Sequence, residues 1–160
     1  MSAELNVPAE TQVLQALQTV LGAASLGAQG IHIMRGVDDA FEPTELPAVN
    51  LILVQEDIDT PSTFGGGLGV SLLQTHSLQL VVQVVTKSTT DALAQARLIS
   101  AKAQQAIGQN PTLGGVCKQL LRPEGKQWLH DDGAEQRLAR QNTLYSGAYR
   151  TYSNNPFTLI

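Results

Sequence analysis

In this 160-residue chain the tract Gly65-Gly66-Gly67-Leu68-Gly69 is the first place where residue types point to chemistry. Consecutive glycines let backbone N–H groups close around a phosphate. A phosphate-binding P-loop then needs Lys followed by Ser or Thr, at the start of a helix. Here Val70-Ser71 follow Gly69, and the nearest lysine, Lys87, lies beyond a strand-like segment. The dinucleotide fingerprint fails too, because no helical pattern comes next. The tract reads as a flexible loop tip.

The three histidines, His32, His76 and His130, do not pair at helical or strand spacing, and no HExxH is present. Metal ligands come in tight clusters, so no metal site is expected. His130-Asp131-Asp132-Gly133 reads as a solvated turn. Cys117 has no CxxC and no helix start beside it to activate a thiolate, and is expected to be a small buried hydrophobe. The acidic groups Asp38-Asp39, Glu56-Asp57-Asp59 and Asp131-Asp132 fall in polar connections, where exposed charge is the ordinary outcome. There is no GxSxG elbow, and nothing points to an enzyme or to a cofactor. Arg137, Arg140 and Arg150 with Tyr145, Tyr149 and Tyr152 read either as a basic-aromatic nucleic-acid surface or as an edge or interface strand.

The elements that must position these residues follow from periodicity. Val13, Leu14, Leu17, Val20 and Leu21 share one face of a helix opening at Glu10 and ended by Gly22, Gly27 and Gly30. Ile31 to Met34 is a short strand, followed by an acidic connection from Asp38 to Glu45. Pro47 to Gln55, apolar on both parities, reads as a strand covered on both faces. Asp57 to Ser71 reads as a long mobile connection. In the next strand Leu78, Leu80, Val82 and Val84 point to a core, while Gln79, Val81, Gln83 and Val85 form a mixed second face.

Thr89-Thr90-Asp91 supply helix caps, and Leu93, Ala96, Ser100, Ala103 and Ile107 line one face of a helix stopped by Gly108, Asn110 and Pro111. Three short strand signals remain: Val116 to Leu121, Gln127 to His130, and Arg137 to Tyr152. The expected architecture is a single α+β domain over 1–160, a largely antiparallel mixed sheet with two helices on one face and a long Gly-rich hairpin loop.

Composition narrows the class. Hydrophobic residues make up 42% and charged residues 15%, against a usual charged share of about 25%. This excludes a disordered, highly charged chain and a coiled coil. One cysteine excludes a disulfide framework. No apolar run approaches the ~18 residues of a membrane span, and the first thirty residues carry no secretory pattern. A soluble cytosolic protein is expected. The net charge of −4 opposes a duplex-gripping role. Residues 1–80 hold one basic and nine acidic residues (1 − 9 = −8), and residues 81–160 nine basic and five acidic (9 − 5 = +4). Such halves suit head-to-tail contacts between copies, unless they interleave and the charges mix.

The layout resembles the tail terminator, or tail completion, proteins of long-tailed bacteriophages. The resemblance covers about residues 10 to 157 and rests on Pro47, Ala48 and Val49 opening a strand and on a helix from Asp91 to Ile107 after the long strand. It also includes Tyr149, Arg150 and Thr151 just before Asn155 and Pro156. It implies a structural protein without catalysis or cofactor, assembled in the bacterial host cytoplasm and resident in the virion tail. Such proteins form a homo-hexameric ring on the finished tail tube protein, stop its polymerisation, and present a surface to a head-tail connector or neck protein. DNA passes through the hole without specific binding.

On this reading the mixed face with Gln79 and Gln83, the terminal strand with Arg137, Arg140, Tyr149 and Arg150, and the loop with Phe64, Gly65, Gly66, Gly67 and Leu68 contact the tube or a neighbouring subunit. A head-side neck protein, and a small ligand-binding or enzymatic domain using the glycine loop, remain as alternatives.

Overall fold

Alternation in the longest apolar strand organises the molecule. The computed structural model describes residues 7–24, 26, 31–35, 46–60, 72–88, 91–131 and 137–160. In chain order it contains α1 (Ala9–Ala23), β1 (His32–Arg35), β2 (Ala48–Asp59), β3 (Leu73–Ser88), α2 (Ala92–Gln109), β4 (Gln119–Asp131) and β5 (Arg137–Tyr152). The five strands make one sheet in the order β1-β2-β3-β5-β4. Only β1 and β2 run parallel; the other three pairings are antiparallel. This is the expected α+β architecture. The glycine-rich loop lies outside the described residues.

Strand β3 is central. Leu78, Leu80, Val82 and Val84 are buried on one side, where α1 covers β1 and β2 and α2 covers β3, β5 and β4. Helix α1 forms because Val13, Leu17 and Leu21 recur every fourth residue and share a buried stripe. Its first turn is tied to the chain's end: Ala9 N–H donates to the Pro156 carbonyl at 3.1 Å, and Gln12 Nε2 to the Phe157 carbonyl at 2.6 Å. Helix α2 buries Ala92, Ala96, Ser100, Ala103 and Ala106. These small side chains let its backbone lie close to the sheet.

The helix ends differ from expectation. Gly22 lies inside the last turn of α1, and Gly108 inside α2, since one glycine costs a helix only about 1 kcal/mol. Asp91 stands at the N-cap of α2 without capping it; its carboxylate accepts from Ser88 Oγ at 2.6 Å and Gln95 Nε2 at 3.2 Å. Thr89 and Thr90 lie outside the described residues. Leu113, Gly114 and Gly115 then take positive φ of 51°, 74° and 93° to turn the chain toward β4. Leu113 is buried, so its core contacts offset the left-handed backbone.

Two further corrections concern strands. The segment from Glu56 to Asp59 belongs to β2, not to a connection. Strand β4 is one element where separate short signals were expected, and it includes His130 and Asp131, which were read as part of a turn. Pro123 and Gly125 are accommodated by register shifts between Gln119 and Arg122 and between Pro123 and Gly125.

Burial fixes the alkaline limit of stability. Cys117 is buried, and desolvation pushes its thiol from 9.0 to about 11. Burial likewise pushes Tyr145 from 10.0 to about 12. The folded state holds these groups neutral while the unfolded chain ionises first. Their stability contribution is therefore full below about pH 9 and is lost as pH rises through the folded values. Thermal melts across alkaline pH should show the midpoint falling from about pH 9 upward; a flat midpoint to pH 12 would contradict these burials.

Candidate functional site

The residues nearest to reactive chemistry sit at one end of the helix-covered face. Along β3 the core parity of Leu80 and Leu78 continues to His76, which is buried between β2 and β5. Its Nδ1 lies 2.9 Å from Glu56 Oε1 on β2 and its Nε2 lies 2.7 Å from Thr151 Oγ1 on β5. The Tyr149 ring stacks on the imidazole, with centroids 4.5 Å apart and planes 10° from parallel, and its hydroxyl donates to Glu56. Glu56 accepts from the Tyr149 hydroxyl; with Nδ1–H directed at the same carboxylate, Nε2 accepts from Thr151 Oγ1 when the ring is neutral and donates to it when the ring is protonated. Burial, then the hydrogen bond to Glu56 and its negative charge, push the Tyr149 phenol well above its ordinary value.

The order hydroxyl, imidazole, carboxylate is that of an acyl-transfer triad. Access decides against that chemistry here. Thr151 is 1% exposed, so an incoming carbonyl cannot approach Oγ1. The cluster instead joins three neighbouring strands, β2, β3 and β5, near the ends of the sheet. It was not foreseen, although the parity of His76 with Leu78 was readable from the sequence.

The opposite face, helix-free among the described residues, carries four of the expected contact residues. Gln79 and Gln83 on β3 and Arg140 and Arg150 on β5 all lie there by register, with Gln79 opposite Ser146 and Val85 opposite Arg140. A row of amides crosses four strands on this face: Asn50, Gln83, Asn142 and Gln127 are successive partners. Tyr149 is not with them, because it is buried on the helix side. The tyrosines therefore do not form a basic-aromatic surface: Tyr145 is buried too, and Tyr152 alone of the three is exposed. Arg137 falls in β5, but its side chain lies outside the described residues, as do Phe64, Gly65, Gly66, Gly67 and Leu68.

At one end of the helix-free face is an open hollow of about 580 Å³. Asp57 borders one side, Lys118, Arg122 and Glu124 the other, and Ser77, Gln79 and Ser146 lie between. Its mixed charge does not define one ligand class. Among the described residues no group of His, Cys, Asp and Glu could hold a metal ion, and no helix is long and apolar enough to cross a membrane.

The strands carry the charge unevenly. Strand β2 holds Glu56, Asp57 and Asp59 and β5 holds Arg137, Arg140 and Arg150, while β1 carries Arg35 and β4 mixes Arg122 and Lys126 with Glu124 and Asp131.

No family model matches the chain, and no curated protein matches it. Among solved structures, it is similar to a chain from the virion of a native gene transfer agent particle. The TM-score is 0.46 at 14% identity, over 86% of this chain and 94% of that one.

Proposed function

We propose that the protein is a structural component of a phage-like virion that forms a ring on the tail tube, stops tube growth and offers a surface for head attachment. The observation that carries this reading is the order in which the elements meet the sequence pattern of tail terminators. Strand β2 opens at Ala48 directly after Pro47, α2 follows the long β3, and β5 ends in Tyr149, Arg150, Thr151 and Tyr152 just before Asn155-Pro156. The helix-free face, where Gln79, Gln83, Arg140 and Arg150 lie together, is assigned to contact with the tube. Long polar side chains there offer many hydrogen bonds without a strong charge of one sign, which suits docking to a preassembled surface. The partners are the tail tube protein, a connector or neck protein, and further copies of this chain; DNA passes through the ring.

Electron microscopy of particles from a host lacking this gene tests the proposal. Tails of irregular, excessive length without heads are expected. Tails of normal length beside unattached, DNA-filled heads would move the protein to the head side of the joint. Intact infectious particles would overturn a role in virion assembly.

A further inference from the structure

We infer that copies of this chain join head to tail through the two edges of the sheet, the open half of β2 on one copy meeting the start of β4 on the next. The inference rests on the ring reading above for its biological setting. Its physical basis is the unequal length of the edge strands.

Strand β1 pairs only with Ala48 to Leu51. Beyond it, among the described residues, no strand pairs with the outer side of Ile52 to Asp59. That open stretch carries Glu56, Asp57 and Asp59, and it exposes Val54 at 57% and Ile58 at 56%. An exposed strand edge with apolar side chains is a template for pairing with another chain. The far edge of the sheet is β4; Lys118 just before it and Arg122 and Lys126 in it are exposed and make no ion pair among the described residues, and they outnumber Glu124, which accepts from Ser146 Oγ. An acidic open half of β2 and a net basic start of β4, on opposite sides of one sheet, give a heterologous contact, the kind that closes into rings.

Register places the charges level with each other. Asp57 pairs with Ser77, Ser77 with Ala148, and Ala148 with Gln119, beside Lys118. Gln55 reaches Arg122 in the same way, through Gln79 and Ser146. Continuing the sheet into a second copy without stagger therefore sets its Asp57 beside Lys118 and Gln119, and its Gln55 beside Arg122. Three successive antiparallel pairings make β4 and β2 run in opposite directions, so the joint is antiparallel in any cyclic ring. The outer edge is stepped where β1 stops, and β4 is bent by its two register shifts, which suits a stepped partner. Pro123 removes one N–H from that edge, so side chains carry much of the contact.

A charge swap tests the joint. One variant carries Asp57→Lys with Asp59→Lys; the other carries Lys118→Glu with Arg122→Glu. Like charges set opposite each other cost several kcal/mol, so each variant alone should self-associate about a hundredfold more weakly than the wild type by sedimentation. An equimolar mixture pairs a basic β4 start with an acidic β2 edge, and an acidic start with a basic edge, and should recover assembly. A benzophenone side chain at Gln119 in an otherwise native chain should cross-link to the peptide spanning 52–59 of another copy.

Wild type that stays monomeric at millimolar concentration, variants that assemble as the wild type does, a mixture that does not recover, or cross-links to another surface would each overturn the inference. None of these results alters tail length in the gene deletion, so failure of the joint and failure of the tail-cap reading are separable.

Discussion

Replacing Tyr149 with alanine is expected to cost about 3–5 kcal/mol of folding stability, the usual range for removing a buried aromatic. The ring is 1% exposed, stacks on His76 and donates to Glu56. Its loss leaves a cavity, uncovers one face of the imidazole and removes a donor from a partly buried carboxylate. Domains of this size have about 5–15 kcal/mol in total, so up to half or more of the stability would go. Tyr149→Phe keeps the ring and the stack and removes only the hydroxyl. Its cost should be about 1–2 kcal/mol, that of one hydrogen bond with its acceptor left short of a partner. Urea denaturation of both variants separates the two contributions. Equal losses would mean that the bond to Glu56, and not the packing, carries the cluster.

That cluster also marks where sequence reading stops. The alternation of Leu78, Leu80, Val82 and Val84 identifies both the strand and its buried face, because period two needs no knowledge of the partners. Ala96, Ser100, Ala103 and Ile107 identify the buried face of α2 for the same reason, at a period of 3.6. Glu56, His76, Tyr149 and Thr151 have no such local signal. Glu56 and His76 are 20 residues apart, His76 and Thr151 75, and Glu56 and Tyr149 93. Only the pairing of β2 with β3 and of β3 with β5 brings them together.

Acidic residues hid the end of β2, since Glu56, Asp57 and Asp59 look like a solvated connection until an open sheet edge is known to hold them. Pro123 and Gly125 divided β4 in the same way, because a strand bent by bulges lacks the clean alternation of a flat one. The candidate contact residues fared according to parity: Gln79 and Gln83 share the helix-free face as their spacing requires. Tyr149 sits one residue from Arg150 and therefore on the other face.

Inserting a large side chain beneath α2 is the second severe change. Ala96 is completely buried, on the side of α2 that packs against β3 and β5. Ala96→Phe would force a ring into a space shaped for a methyl group. The helix must then move off the sheet or the ring must adopt a strained rotamer, and overpacking of this kind costs about 3 kcal/mol or more. Ala94 lies two residues away on the exposed side of the same helix, so Ala94→Phe should change stability by no more than about 0.5 kcal/mol. Thermal unfolding of the pair isolates steric burial from helix propensity, because both substitutions place the same residue in the same helix. A comparable loss in both variants would mean that propensity, not close packing, governs α2. The contrast with the charge swap is physical: Ala96→Phe should lower the melting midpoint together with assembly, whereas the edge variants alter exposed charges and should lose assembly while matching the wild-type midpoint at concentrations where the wild type is dissociated.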